Sequence, residues 1–293
     1  MLIYRGLWDE SDEPLDKTIK GLSDSSLKYP MAYGYSLVGR IERVGEAVPS
    51  RVIGTTVFAF APHAECAFAD AEGIQHVPPN LSPLDATFLP AAETAISIVH
   101  DAHPRAAETV HVFGCGVIGL LVISCLSHLG LDVCAVEPDA SRRDLAVTLG
   151  ASRAVAPEDV PKKAADVSIE CSGSPKALQG AIDSTIDCGR VVIASWYGKK
   201  GVSLVLGTTF HRSHIEIIAS QVSEITGSHA TRWSKARRFM AAWELIKRVR
   251  PARSMPLLTY PLEKAREAYA KIDKGETGAA VVQFVYQEER ARL

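Results

Sequence analysis

Across 293 residues the chain contains no CxxC pair, no HxxxH and no HExxH, so it offers no self-contained metal or dithiol motif. Its six cysteines, at 66, 115, 125, 134, 171 and 188, stand singly. Four of them fall within or beside apolar segments, which reads as buried free thiols. The longest apolar run, Val117 to Leu126, is too short to span a bilayer, and Met1-Leu2-Ile3-Tyr4-Arg5 does not begin a signal peptide. A net charge of −2 provides no basic field for nucleic acid or an anionic membrane. These absences predict a cytoplasmic protein with a small-molecule partner, without nucleic acid and without membrane; they leave a homodimer open. The length exceeds one usual core, and 47% apolar residues are enough to fill two domains.

What the chain does contain is concentrated at His111-Val112-Phe113-Gly114-Cys115-Gly116-Val117-Ile118-Gly119, a buried strand, a glycine turn and the start of a helix. In GxGxxG spacing, Gly114 permits the sharp turn, Gly116 lets a pyrophosphate approach the backbone, and Gly119 lets the helix pack closely. The helix N-terminus, with Val117 and Ile118 in its first turn, supplies amides and a positive dipole end to phosphates. Gly130 closes that helix, and a second strand, Leu131 to Val136, ends in Glu137, twenty-three positions after Gly114. An acid there accepts hydrogen bonds from the adenosine ribose and repels a 2′-phosphate, which predicts NAD over NADP. Arg142 and Arg143 stand close enough to meet a phosphate, stack on adenine or form a solvated face. A methyltransferase loop is the rival, but it implies an acid just before the first glycine, where Val112 and Phe113 stand.

Along the rest of the chain, residues 1–30 are polar and turn-rich and read as surface. Strands are predicted over residues 32–44 and 56–60, with Pro62 to Phe68 continuing a β-rich, barrel-like antiparallel region. A helix over residues 84–100, carrying Glu93 and Thr94, bridges to the glycine turn. Beyond it, a helix over 142–149, a strand over 166–171, a helix capped by Ser174 and stopped by Gly189, and strands over 190–195 and 215–220 give the alternation of a doubly wound parallel sheet. The last strand follows a loop holding Phe210-His211-Arg212. The residues Trp233, Ala236, Met240, Trp243 and Ile246 or Lys247 recur near helical spacing and read as a core face. A helix over 262–272, a turn at Gly275 and Gly278 and a strand over 279–286 finish the chain and return it to the first domain.

This order of parts resembles the medium-chain dehydrogenase/reductase, alcohol dehydrogenase-like family over nearly the whole chain. The resemblance rests on Gly34, Gly39 and Gly45, on the glycine turn, on Glu137 with Arg143 and Leu149-Gly150-Ala151, and on residues 166–173. More narrowly, Tyr33-Gly34-Tyr35, Pro62-His63, Glu93-Thr94-Ala95, Ser195-Trp196-Tyr197-Gly198 and Ser220-Gln221-Val222 are similar to a zinc-free branch, with a looser similarity to bacteriochlorophyllide dehydrogenases. It implies an α/β fold: a Rossmann domain over 99–255 and a β-rich GroES-like domain over 1–98 and 256–293, with Met1 aligning just after that family's opening strands. Zinc-dependent members carry Gly-His-Glu where this chain has Gly34-Tyr35-Ser36, and Pro90 stands at a later ligand position. No metal site is therefore expected.

The leading expectation is a zinc-independent, nicotinamide-dependent oxidoreductase interconverting an alcohol and a carbonyl. Without a metal, a side chain must move the proton. Tyr35, Ser36 or His63 is expected in that role, with Glu93 behind them, and the nicotinamide end is expected near Thr94, Ser172, Ser195 and Trp196. An NADPH-dependent enoyl or quinone reductase and a catalytically silent dinucleotide-binding protein are the alternatives.

Overall fold

The computed structural model describes all residues except 1, 2, 9, 15, 20, 24, 25, 226, 228, 229, 279, 280 and 287–293. By its contacts the chain divides into two compact units: Met1, Trp8–Pro90 and Arg250–Leu293 form the first, and Leu2–Leu7 with Ala91–Val249 form the second.

The first unit opens with β1 (Ser11–Pro14) paired antiparallel to β2 (Ser26–Leu27). This stretch is less superficial than its polarity suggests, because Trp8, Leu22 and Asp16 are buried. The Asp16 carboxylate accepts from the Thr18 amide at 2.8 Å and from its hydroxyl at 2.7 Å, an Asx-type turn that replaces ladder bonds. β3 (Leu37–Arg40), β4 (Thr56–Ala59) and β5 (Ile74–His76) form a three-stranded antiparallel sheet in that order. Two expectations are corrected here. The strand predicted over 32–44 is only the four residues of β3, and residues 61–70 form no strand. Pro62 lacks the donor a ladder needs, and Phe68 lies fully in solvent with no sheet to cover it.

The predicted bridge helix is broken into α1 (Pro83–Ala86) and α2 (Leu89–Ala102). Ser82 caps α1 through the Asp85 amide at 3.0 Å, and Pro83 occupies its first turn.

In the second unit, β6 (Thr109–Phe113), α3 (Val117–His128), β7 (Asp132–Val136), α4 (Ala140–Thr148), β8 (Arg153–Val155), β9 (Ala165–Glu170), α5 (Pro175–Ser184), β10 (Thr185–Ile193), α6 (Thr209–Arg212) and β11 (Glu216–Ala219) build a six-stranded parallel sheet. Its order is β11-β10-β9-β6-β7-β8. The chain reverses direction across the sheet between β6 and β9, the arrangement of a doubly wound Rossmann fold. β6 and β7 are buried on both faces, with Val110, Val112, Val133 and Ala135 fully inaccessible on one and His111 and Cys134 on the other.

The helix expected to run from Ser174 to Gly189 ends at Ser184, and Gly189 lies inside β10. A Cβ at Gly189 would come within 2.5 Å of the Thr185 side chain and 2.8 Å of the Asp166 carbonyl, so this glycine serves a close strand approach instead of a helix stop. The stretch read as a loop at Phe210-His211-Arg212 forms the single turn α6.

α7 (Lys235–Val249) closes the unit. Its buried face is Arg238, Phe239, Ala242, Trp243, Leu245, Ile246 and Val249, whereas Ala236 and Met240 are exposed. The predicted stripe was therefore rotated, because Trp233 precedes the helix and does not share its phase. The chain ends in the first unit with α8 (Pro251–Ser254), β12 (Leu257–Pro261), α9 (Ala265–Lys274) and β13 (Val281–Val285); β12 and β13 pair in parallel. Residues 279 and 280 of the predicted final strand lie outside the described residues. Among the described residues no helix is long and apolar enough to cross a membrane.

Candidate dinucleotide site

The glycine turn joins β6 to α3. Gly114 adopts φ +97°, and a Cβ there would lie 2.8 Å from that of Ser172. Only glycine allows this turn and this approach of two strand ends together. A Cβ on Gly119 would stand 1.9 Å from the Gly114 carbonyl oxygen, so α3 packs directly on the turn. By contrast, a Cβ on Gly116 would meet nothing within 4 Å. Gly116 is also the N-cap of α3 and supplies no capping side chain, which leaves the half-buried first turn at Val117 and Ile118 suited to an anion.

Glu137 follows β7 and is buried. Its Oε2 accepts from the Cys115 amide of the glycine turn at 2.7 Å, and its Oε1 accepts from the Asp139 amide at 3.2 Å. The acid is thus fixed in rotamer beside the turn, with lone pairs left for hydroxyl donors. Arg143, not Arg142, secures this corner: its Nη1 donates to the Glu137 and Pro138 carbonyls at 2.7 and 2.8 Å. Arg142 contributes its amide to the Asp139 cap at 3.0 Å, and its side chain is partly exposed. Burial, with Glu137 nearby, pushes the Cys115 thiol up to about 12, so it remains a neutral packing group.

Across the switch point, the residues following β9 and β10 meet. Ser172 donates both its amide and its hydroxyl to Glu170, and the Ser195 hydroxyl donates to the Glu170 carbonyl at 3.3 Å. Trp196 stands 53% exposed beside them. Glu170 itself was not singled out from sequence; an acid at the end of an apolar strand was the available signal. The second unit therefore brings Gly114, Gly116, Gly119, Glu137, Ser172 and Ser195 to the carboxyl ends of β6, β7, β9 and β10.

Thr94 and Glu93 lie on α2 in the same unit. Glu93 is buried in an ion pair, accepting from Arg238 Nε at 3.0 Å and Nη2 at 2.8 Å, and Arg238 also reaches the Ser97 hydroxyl and the Val222 carbonyl. This joins α2 to α7, and it is in this ion pair that the structure places the Glu93 expected behind the proton-handling residues.

In the first unit, His63 packs against the Gly34 backbone, where a Cβ would lie 2.7 Å from its Nε2, and against the Phe284 ring at 5.0 Å between centroids. Its amide donates to the Tyr33 carbonyl at 2.8 Å, tying the 33–36 segment to it. This partial burial lowers the His63 pKa from its ordinary value, so the ring is neutral at neutral pH. Tyr35 is about half exposed, and the protein packed around its phenol raises its pKa, which keeps it protonated and able to donate a hydrogen bond. The Ser36 hydroxyl is committed to the Thr87 carbonyl at 2.7 Å. Among the described residues no three His, Cys, Asp or Glu side chains stand together so as to hold a metal ion.

Residues 117–242 match the sequence profile described as Zinc-binding dehydrogenase. D-guloside 3-dehydrogenase of Escherichia coli is 29% identical over 227 residues, covering 73% of this chain and 65% of that protein. (R,R)-butanediol dehydrogenase of Bacillus subtilis is 30% identical over 236 residues, covering 68% of this chain and 66% of that protein. The chain thus spans just under two thirds of the length of these relatives. Among solved structures, the B. subtilis 2R,3R-butanediol dehydrogenase superposes with a TM-score of 0.68 at 22% identity, covering 87% of this chain and 81% of that one. An E. coli alcohol dehydrogenase crystallised with NADH superposes with a TM-score of 0.69 at 17% identity, covering 86% and 83%. The glycine turn, the acid after β7 and these likenesses agree: the chain has an alcohol dehydrogenase-like fold, and its residues 117–242 belong to the zinc-binding dehydrogenase family.

Proposed function

We propose that this chain is an NAD-dependent oxidoreductase that interconverts an alcohol and a carbonyl compound by hydride transfer, without a zinc ion. The observation that carries the reading is the Cys115 amide to Glu137 Oε2 bond of 2.7 Å, which sets an anionic ribose acceptor against the phosphate-binding turn. The amides at the start of α3 would hold the pyrophosphate, and the open space at Gly116 admits it. The carboxylate of Glu137 would accept the ribose hydroxyls and repel a 2′-phosphate. When bound, the nicotinamide supplies or receives the hydride. The residues after β9 and β10 would line its other half.

The zinc donor set is not assembled among the described residues; Tyr35 and Ser36 stand where the resemblance places one ligand and its neighbour, and Pro90 where it places a later ligand. No step is therefore assigned to a metal. His63, lodged beside Gly34 with its pKa lowered by burial, would act from its neutral form as the proton acceptor. Tyr35 would hydrogen-bond to an alkoxide or carbonyl oxygen through its protonated phenol. The sequence relatives named above act, by their names, on a diol and on a sugar derivative, which favours secondary alcohols here over conjugated enones.

The test is oxidation of a panel of secondary alcohols, diols and sugar derivatives by the purified chain with NAD, followed by reduced-cofactor absorbance before and after chelation. Turnover that survives chelation and is lost in His63→Gln supports the reading. Stoichiometric zinc with activity abolished by chelation, or turnover of enones and not alcohols, overturns it.

A further inference from the structure

A buried carboxylate with no part in the function proposed so far lies at the end of β9. Glu170 is fully inaccessible, and its side chain collects four donors. Oε1 accepts from the Ser172 amide at 2.6 Å, the Ser172 hydroxyl at 2.6 Å and the Gly173 amide at 2.9 Å; Oε2 accepts from the Tyr197 hydroxyl at 2.9 Å. The same junction is closed by Ser195 Oγ on the Glu170 carbonyl at 3.3 Å and by Lys200 Nζ on the Gly173 carbonyl at 2.9 Å. Two loops that leave adjacent parallel strands are thereby tied to one side chain. A carboxylate this deep is retained only where donors replace its hydration, and four charge-assisted bonds do so.

The place of this junction gives it a task. Ser172 sits so close to Gly114 that a Cβ there would approach its own Cβ to 2.8 Å, so the Glu170 cluster abuts the glycine turn. Glu137 lies on the β7 side of the switch point and the Glu170 cluster on the β9 and β10 side. A dinucleotide laid across the carboxyl ends of these strands has its adenosine half toward Glu137 and its other half toward the Glu170 loops. Resting on the dinucleotide reading above, we propose that Glu170 is a positioning residue, holding the loops after β9 and β10 in the shape that receives the nicotinamide half of NAD. It acts through Ser172, Gly173 and Tyr197 and touches no reacting atom.

The experiment compares NADH with ADP-ribose, which lacks the nicotinamide base, by calorimetric titration of wild type, Glu170→Ala and Glu170→Gln. Glu170→Ala is expected to weaken NADH roughly tenfold while changing ADP-ribose less than about threefold. Glu170→Gln, which keeps an Oε1 acceptor for the two amides, is expected to restore most of the NADH affinity. Should Glu170→Ala fail to fold, Tyr197→Phe removes the Oε2 donor alone and is expected to show the same split on a smaller scale. Equal weakening of both ligands, or NADH binding unchanged in the variant that folds, overturns the positioning role. Wild-type protein that binds neither ligand would refute the dinucleotide reading itself, and this inference with it.

Discussion

His111 stands in the middle of β6, fully inaccessible, and neither ring nitrogen has a hydrogen-bond partner. Burial, helped by the positive charge of Arg153, pushes its pKa down to about 4. Between the two pKa values the unfolded chain binds a proton that the folded chain refuses. Stability is therefore complete above the ordinary histidine value and falls as pH drops toward 4, by up to about 3 kcal/mol. His111→Leu should remove most of that slope in thermal melts between neutral and acid pH and should not destabilise at neutrality, since it relieves an orphaned polar ring. An unchanged slope would contradict this. Residue-scale features differ in how legible they were. The place of Glu137 could be read because its distance from Gly114 is set by one helix and one strand. Glu170 and Arg238 could not. The partners of Glu170 are reached only when two loops fold onto it, and Arg238 meets Glu93 across 145 positions of chain.

Elements behaved according to how local their signals are. α3 and its turn match expectation because strand, glycines and Gly130 are contiguous, and the structure separates the tasks of two glycines that look alike in sequence. Gly116→Ala should fold normally and weaken NADH binding, because its Cβ meets no protein atom but intrudes where the pyrophosphate would lie. Gly119→Ala should destabilise the fold itself by about 1–3 kcal/mol, because its Cβ collides with the Gly114 carbonyl. Denaturant melts and NADH titrations of the two variants check this, and equal effects on both readouts would sink the distinction. The α2 and α7 pairing makes a second prediction at this scale. Arg238→Ala leaves the Glu93 carboxylate buried without its fork of donors and should cost about 3–5 kcal/mol, whereas Arg238→Ala combined with Glu93→Leu should recover much of that loss. A double variant no more stable than the single one would count against the pair as the cause. α5 was misjudged for a corresponding reason: Gly189 looks like a helix stop, but its task is a contact with Asp166, which precedes it by more than a helix in sequence.

For the molecule as a whole, the second unit, almost all of it the single stretch Ala91–Val249, was far more legible than the first. Alternating strands and helices of ordinary length carry their own periodicity, and parallel order follows from the crossovers. The first unit is assembled from separated segments of the chain, its strands are two to five residues long, and pairs such as β12 with β13 depend on contacts that short patterns do not encode. The residues proposed to handle the proton, Tyr35 and His63, lie in that harder unit, whereas the proposed dinucleotide contacts lie in the easier one. Whether the β6–α3 turn and Glu137 form an NAD site is decided by titrating NADH and NADPH against wild type and Glu137→Ala. The expected result is NADH bound at least about tenfold more tightly than NADPH by wild type, with the preference collapsing in Glu137→Ala. Equal affinity for the two cofactors in wild type, or an NADPH preference that persists in Glu137→Ala, would contradict it.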